Sequence, residues 1–332
     1  MYSIVIPAFN QLECCKQCVQ SILMGAHTPY KLILVDNGST DGVGAYFDSV
    51  PGATVIHTGE NLGFAAGTNR GLAHAEGHVV LLNSDTIVPD GGLDRLVAAL
   101  DRDPRIGLLG PRTNCASGPQ VIDGLSFATT AEIDTYAGAR AAELAGQLRD
   151  VARLVGFCLV IRDTVFHELG MLDESFGIGN YEDDDYCLRA LRAGYRLCIA
   201  EDCFIFHYGS RTFAGMGLVS DAWRELLERN EQVFAQKWRD LRPEEREDSY
   251  RIAAQLHREA EAAVARGDYR EAIAKLLDAI RAASAWAPSY YELGRVLVAM
   301  GDAERARAQF ERALRLDASH AAARDALARL DA

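Results

Sequence analysis

Short apolar runs alternate with stretches of helical spacing through the first third of the chain. Ser3–Ile6, Lys31–Val35, Thr54–His57, His78–Leu82 and Ile106–Leu109 are rich in β-branched residues and leucine, as buried strands are. Between them, Leu12–Met24, Gly63–Ala75 and Gly91–Asp101 repeat their apolar positions at the helical period. Strand and helix in alternation predict βαβ units and a mostly parallel sheet flanked by helices, an α/β fold. Ligands of such sheets sit beyond the C-terminal strand ends. The residues that directly follow the strands are therefore the ones to examine.

The pattern changes further along. From Arg251 to Ala332, 25 of 82 residues are alanine and three are glycine, whereas 26 of the 29 glycines precede residue 218. Gly267-Asp268 recurs 34 residues later as Gly301-Asp302. Ala272 corresponds to Ala306, Leu276 to Phe310 and Ala279 to Ala313. A 34-residue period with small residues at fixed positions resembles the tetratricopeptide repeat, an antiparallel helix pair. Two units are expected, over 253–286 and 287–320, with Ala321–Leu330 as a closing helix. The first is degenerate, with Leu256, Glu259 and Ala260 where Trp, Leu and Gly are usual. The boundary is expected near Leu241–Glu245, a charged stretch with a proline, giving domains 1–240 and 241–332.

Charge narrows the partners. The net charge of −13 argues against a nucleic-acid grip, which needs clustered cations, and against docking to an anionic membrane. A phosphorylated ligand would have to be held by backbone N–H groups or a metal ion. No segment reaches the length of a transmembrane span, and the N-terminus does not read as a signal peptide. Eight scattered cysteines suggest reduced thiols and a cytoplasmic setting. Cys15-Lys16-Gln17-Cys18 lacks the second pair a zinc site would need, so packing on one helix face is the favoured reading.

Candidate chemistry follows the strands. Asp36, Gly38 and Ser39 form a turn after the second strand. The Asp36 carboxylate can accept from a nucleobase N–H, or the segment can be a simple capped turn. Asn83-Ser84-Asp85 follows a buried strand and offers oxygens suited to Mg²⁺ or Mn²⁺. Glu182-Asp183-Asp184-Asp185 opens a helix. The helix dipole favours acids there, but four adjacent carboxylates repel, and one raised toward neutral pKa makes a general base. His207, after another apolar run, is either a metal ligand or a satisfied polar tip.

In this order the motifs resemble a family 2 glycosyltransferase of GT-A fold, over about residues 1–240. Ile4–Glu13 resembles the opening strand and nucleotide loop, Asp36–Asp41 the base-binding turn, and Asn61–Gly71 the segment before the metal strand. Asn83-Ser84-Asp85 takes the D-x-D place, with an uncharged amide at the first position. Gly156-Phe157-Cys158 and Gly170–Glu174 resemble the acceptor-side strand and turn. Glu182-Asp183-x-Asp185-x-x-x-Arg189 resembles the catalytic helix of rhamnosyltransferase-like members. The resemblance implies inverting transfer from a nucleotide diphosphate sugar, with Asp183 as base and Mg²⁺ or Mn²⁺ held by Asp85 and His207. It implies donor binding by Pro7, Ala8, Phe9, Asp36, Gly38, Asn69, Asn83, Ser84 and Asp85. Phe157, Tyr181 and Glu182 are implied on the acceptor side.

The acceptor is expected to be a glycan or a protein, with the repeats engaging a peptide, a protein partner or a second copy. The alternatives are an inactive transferase domain serving as a scaffold, and a sugar-1-phosphate nucleotidyltransferase. The latter is disfavoured because Pro7–Glu13 carries no Lys or Arg. A dinucleotide enzyme is disfavoured because no G-x-G-x-x-G follows a strand. Residues 120–150 carry no recognised motif, and an acceptor-side loop is the expectation there.

Overall fold

The computed structural model describes residues 1–209, 221–239, 253, 256–284, 286–317 and 320–330. The chain divides into two compact units, 1–239 and 240–332. The proline-containing stretch at 241–245, expected to mark the boundary, lies outside the described residues.

Unit 1 is built on an eight-stranded mixed sheet in the order β3-β2-β1-β4-β8-β6-β9-β7. The first four strands are β1 (Tyr2–Ala8), β2 (Tyr30–Asp36), β3 (Thr54–His57) and β4 (His78–Leu82), all mutually parallel. Helices α1 (Leu12–Gly25), α2 (Val43–Asp48) and α3 (Phe64–Leu72) connect them. Short β5 (Thr86–Ile87) and α4 (Gly92–Asp101) lead into β6 (Ile106–Arg112). Then come α5 (Thr130–Glu143), β7 (Leu148–Val151), β8 (Cys158–Ile161), α6 (Asp163–Leu169), α7 (Glu182–Arg192), β9 (Arg196–Phe204) and β10 (Phe206–His207). β8 inserts antiparallel between β4 and β6.

Both faces of the sheet are covered, so central strands are apolar throughout and alternate residues feed two cores. Ile4, Ile6, Leu32, Leu34, Val80 and Leu82 pack on one face. Val5, Ile33, Val35, Val79 and Leu81 pack on the other. Each fully buried Val, Leu or Ile contributes about 1.5–3 kcal/mol, which fixes the strand register, since a one-residue slip would exchange the faces.

Residues 120–150, expected as a loop, instead form α5 and most of β7. Thr129 caps α5 by accepting from Glu132 N–H, and Glu132 accepts in return from Ala128 N–H. The Thr-x-x-Glu spacing of a capping box was present in the sequence. The helix packs on Phe204 through Ile133, Ala137 and Tyr136, and β7 closes the sheet edge against β9.

In unit 2, helical residues 256–265 are followed by helices Tyr269–Ala282, Ala287–Ala299, Ala303–Leu316 and Ala321–Leu330. The Gly-Asp pairs acquire a physical meaning here. Gly267 and Gly301 take φ of 80° and 83°, a left-handed turn that glycine adopts readily. Asp268 and Asp302 then cap the next helix, accepting from Glu271 and Arg305 N–H at 3.0 and 3.1 Å. Ala272, Leu276, Ala306 and Phe310 share one core.

α3 lies close on the sheet because Gly71 has no side chain: a Cβ there would sit 2.5 Å from Val5 Cγ1 and 2.8 Å from Val35 Cγ2. Gly71→Val is expected to cost about 1–3 kcal/mol through overpacking. A thermal melt should show a fall of at least about 2 °C; an unchanged melt would contradict this packing.

Candidate active site

The parallel run β1–β4 brings four strand ends to one edge of the sheet. Because β8 runs the other way, its beginning arrives at that edge too: Asn83 N–H donates to Phe157 C=O at 2.8 Å. A cleft opens there, lined by Pro7, Ala8 and Phe9 and by Asn83, Ser84 and Asp85. Asn37, Asn61, Phe64 and Ile178 complete it. The expected donor segments thus meet around one space.

Asp36, Gly38 and Asn69 are not among its walls. Asp36 accepts from Ser39 N–H at 2.8 Å, and its other oxygen lies 3.1 Å from His57 Nδ1. His57 reaches Asp48 with its second nitrogen at 3.0 Å. Those two carboxylates raise the His57 pKa, Asp36 foremost. The turn is zipped to the loop after β1, with Asn10 N–H donating to Ser39 Oγ and Thr40 N–H to Asn10 Oδ1, both at 2.9 Å. Asn37, one residue beyond Asp36, faces the cleft instead. Asn69 is spent elsewhere: its amide donates to Leu172 C=O and Glu174 Oε1 and accepts from Leu172 N–H. It ties α3 to the 172–174 turn.

His207 stands opposite Thr86 in the β5–β10 pairing, which brings its Nε2 to 3.1 Å from Asp85 Oδ1. Its Nδ1 lies 2.7 Å from Cys115 C=O. A carbonyl only accepts, so Nδ1 carries a proton and Nε2 is aimed at the carboxylate. That contact requires either a second proton or another cation. Burial lowers the His207 pKa, but the Asp85 hydrogen bond and charge outweigh it, and the net shift is upward. Asn114 closes on the backbone of the same residue, accepting from His207 N–H at 2.9 Å and donating to its C=O at 3.0 Å. Asn114 and the Cys115 carbonyl had no sequence signal, because backbone recognition imposes no motif. Asn83 Oδ1, on the cleft wall, is buried without a hydrogen-bond partner.

Phe157, expected to touch an acceptor, is instead 1% exposed and stacked beneath His207, with centroids 5.1 Å apart and planes 19° apart. The preceding Gly156 N–H donates to Asp183 Oδ2 at 2.8 Å. One dipeptide thus touches the Asp85–His207 pair on one side and Asp183 on the other.

The acid run at the start of α7 divides by partner. Asp185 is fully buried and takes Arg189 Nε at 3.0 Å, Lys237 Nζ at 2.7 Å and Trp238 Nε1 at 3.0 Å. Asp184 is gripped by Arg153 Nε and Nη2. Asp183 accepts from Gly156 and Asp184 N–H. Glu182 is buried with Oε2 unpartnered. Burial raises the Glu182 pKa well above the carboxylate range, helped by the Asp183 charge. Burial also raises Asp183, with Asp184 adding and Arg153 opposing.

Asn180 and Tyr181 precede the run with φ of 73° and 77°, a conformation that costs non-glycine residues about 1–2 kcal/mol each. The Tyr181 ring lies 5.5 Å from Phe234. Fully buried Asn230 clamps the turn, donating to Phe176, Gly179 and Asn180 carbonyls within 3.1 Å.

A mostly parallel α/β sheet with a polar cleft at its strand ends is the arrangement in which nucleotide ligands bind. The chain belongs to glycosyltransferase family 2: the pattern described as "Glycosyl transferase family 2" matches residues 3–170, and a tetratricopeptide repeat matches residues 287–320. Its activity is that of the family, transfer of a sugar from a nucleotide sugar. An N-acetylglucosaminyl-diphospho-decaprenol L-rhamnosyltransferase of Mycobacterium tuberculosis is 28% identical over 214 residues, covering 57% of this chain and 69% of the relative. An uncharacterized protein of Mycobacterium bovis is 32% identical over 217 residues, 63% of this chain and 74% of its own length. Among solved structures, a mannosyltransferase from Pyrobaculum calidifontis in complex with GDP-Man and Mn²⁺ shares the fold, with TM-score 0.53 and 17% identity over 99% of this chain and 83% of that one. Among the described residues, no helix is long and apolar enough to cross a membrane.

The partners assigned above separate stability from chemistry. Asp185→Ala leaves several donors unpaired and should cost about 1–3 kcal/mol in a thermal or urea melt. Glu182 behaves oppositely. Its folded pKa lies above its unfolded one, so its contribution is present below the ordinary Glu pKa of about 4.3 and is lost as pH rises. Glu182→Gln should therefore melt higher than the parent at pH 8, with the difference vanishing near pH 4. A lower melt for Glu182→Gln at pH 8 would contradict the assignment.

Proposed function

We propose that the protein is an inverting, divalent-metal-dependent glycosyltransferase in which Asp183 is the general base. The observation that carries this reading is the Gly156–Phe157 dipeptide, which holds Asp183 by a 2.8 Å hydrogen bond and supports His207 by ring stacking. In the step envisaged, the acceptor hydroxyl oxygen attacks the anomeric carbon from the face opposite the diphosphate. Its proton passes to the Asp183 carboxylate. The bond from the anomeric carbon to the diphosphate oxygen breaks, its electron pair leaves on the nucleoside diphosphate, and the configuration inverts. A base so placed is worth about 10²–10⁴-fold in rate.

The residues fit a divalent cation. Nε2 of His207 and Oδ1 of Asp85 converge at 3.1 Å with His207 Nδ1 already protonated, so a cation satisfies both. Asn83 Oδ1 adds an unpartnered oxygen. Among the described residues no third His, Cys, Asp or Glu joins them, which suits Mg²⁺ or Mn²⁺ sharing its remaining positions with phosphate oxygens and water. When bound, such an ion stabilises the charge developing on the departing diphosphate. Pro7–Phe9 and Asn37 would hold the nucleoside, with Asp36, Gly38 and Asn69 shaping that side from behind.

The acceptor is proposed to be a hydroxyl of a glycan or of a protein. The N-acetylglucosaminyl-diphospho-decaprenol in the mycobacterial relative's name supports the first, and the repeat supports the second or a protein partner. The expected setting is cytoplasmic.

Release of nucleoside diphosphate from UDP-, GDP- and dTDP-linked sugars tests this reading. Asp183→Asn should lower turnover about 10²–10⁴-fold while Mn²⁺ affinity holds. Asp85→Ala and His207→Ala should weaken Mn²⁺ binding, and binding to the parent protein should release a proton below the raised His207 pKa. Undiminished turnover by Asp183→Asn would sink the base assignment, and no turnover of any of these donors by the parent protein would leave the scaffold reading.

A further inference from the structure

We propose that Arg153 is a positioning residue that fastens the loop orienting His207 to the helix carrying Asp183, and sets the charge environment of the base. This rests on Asp183 being that base. Arg153 lies between β7 and Gly156, and its guanidinium faces two ways. Nε and Nη2 take the Asp184 carboxylate, while Nη1 donates to Ser117 C=O at 2.9 Å. Ser117 is two residues beyond Cys115, whose carbonyl fixes the Nδ1 proton of His207. Asp184 in turn donates its N–H to Asp183 Oδ1 at 2.9 Å. A single side chain therefore reaches both arms of the site.

The pair is largely buried, with Arg153 14% and Asp184 16% exposed. Burying an ion pair brings little stability, because desolvation offsets the attraction, so placement is the better account of its presence. The planar fork of arginine can hold a carboxylate and a carbonyl at once in a fixed geometry; a lysine ammonium cannot. The groups facing Asp183 are Glu182 and Asp184 from its own helix, the Cys187 thiol one turn on, and Arg153 from the strand side. Arg153 is the cation among them. It favours the ionised base, and Asp184 opposes it.

The test is the pH dependence of kcat/KM for donor hydrolysis in the full chain, using the UDP-, GDP- or dTDP-linked sugar that the parent protein turns over, with water as acceptor. Arg153→Gln should move the acid limb upward by about one pH unit or more. Asp184→Asn should move it downward, and the double variant should return near the parent. Arg153→Lys should keep the limb and lower kcat, since charge is retained and the fork is lost. A merely structural arginine would lower kcat or stability without moving the limb in opposite directions for the two partners. Should Arg153→Gln fail to fold, Asp184→Asn and Arg153→Lys still decide: a limb unmoved by Asp184→Asn overturns the proposal. If Asp183→Asn abolishes turnover while neither partner moves the limb, the role of Arg153 fails and the base stands. If Asp183→Asn retains full turnover, the base reading fails and takes this proposal with it.

Discussion

The site depends on one short connection, the Gly156–Phe157 dipeptide at the start of β8. Gly156 N–H holds the Asp183 carboxylate, Phe157 C=O accepts from Asn83 N–H, and the Phe157 ring lies under His207. Three segments far apart in the chain are thereby fixed to within hydrogen-bond precision. The connection exists because β8 runs antiparallel to β4. A parallel β8 would begin at the opposite edge of the sheet, and Asp183 would have no such tie to the cleft. Topology thus enters the chemistry through a single strand direction.

Around that connection, charge is arranged by partner rather than by number. Asp185 is neutralised by Arg189 and Lys237, and Asp184 by Arg153. What remains is Asp183, stabilised as an anion by two backbone N–H groups yet raised by burial, and Glu182, which burial drives toward its neutral form. Two adjacent carboxyls with different surroundings can hold different protonation states at one pH, which suits one for accepting a proton and the other for donating a hydrogen bond. Among the described residues, no Lys or Arg lines the cleft. Its described walls offer backbone, the side chains of Asn37, Asn61, Asn83 and Ser84, and Asp85, which His207 reaches from behind.

Much of this was legible in the sequence because it rests on periodicity and on residues following strands. The alternation of β1–β4 with α1, α3 and α4, the Gly-Asp period of 34 residues and the convergence of Pro7–Phe9 with Asn83–Asp85 all belong to that class. Side-chain direction was not legible. Asn69 lies in a recognisable motif but turns to Leu172 and Glu174, and Phe157 turns beneath His207 rather than toward an acceptor. Nor could the partners of the acid run be read, since Arg153, Lys237 and Trp238 meet it only through tertiary packing. The misread 120–150 segment is different: its Thr129-x-x-Glu132 capping box was available, but no apolar stripe stood out to accompany it.

If Asp183 faces the anomeric carbon from the side opposite the diphosphate, the first product of donor hydrolysis must have inverted configuration. Proton NMR of the released sugar, recorded before mutarotation, measures this directly. An α-linked donor should yield the β-anomer first; appearance of the α-anomer first would contradict a base on that face.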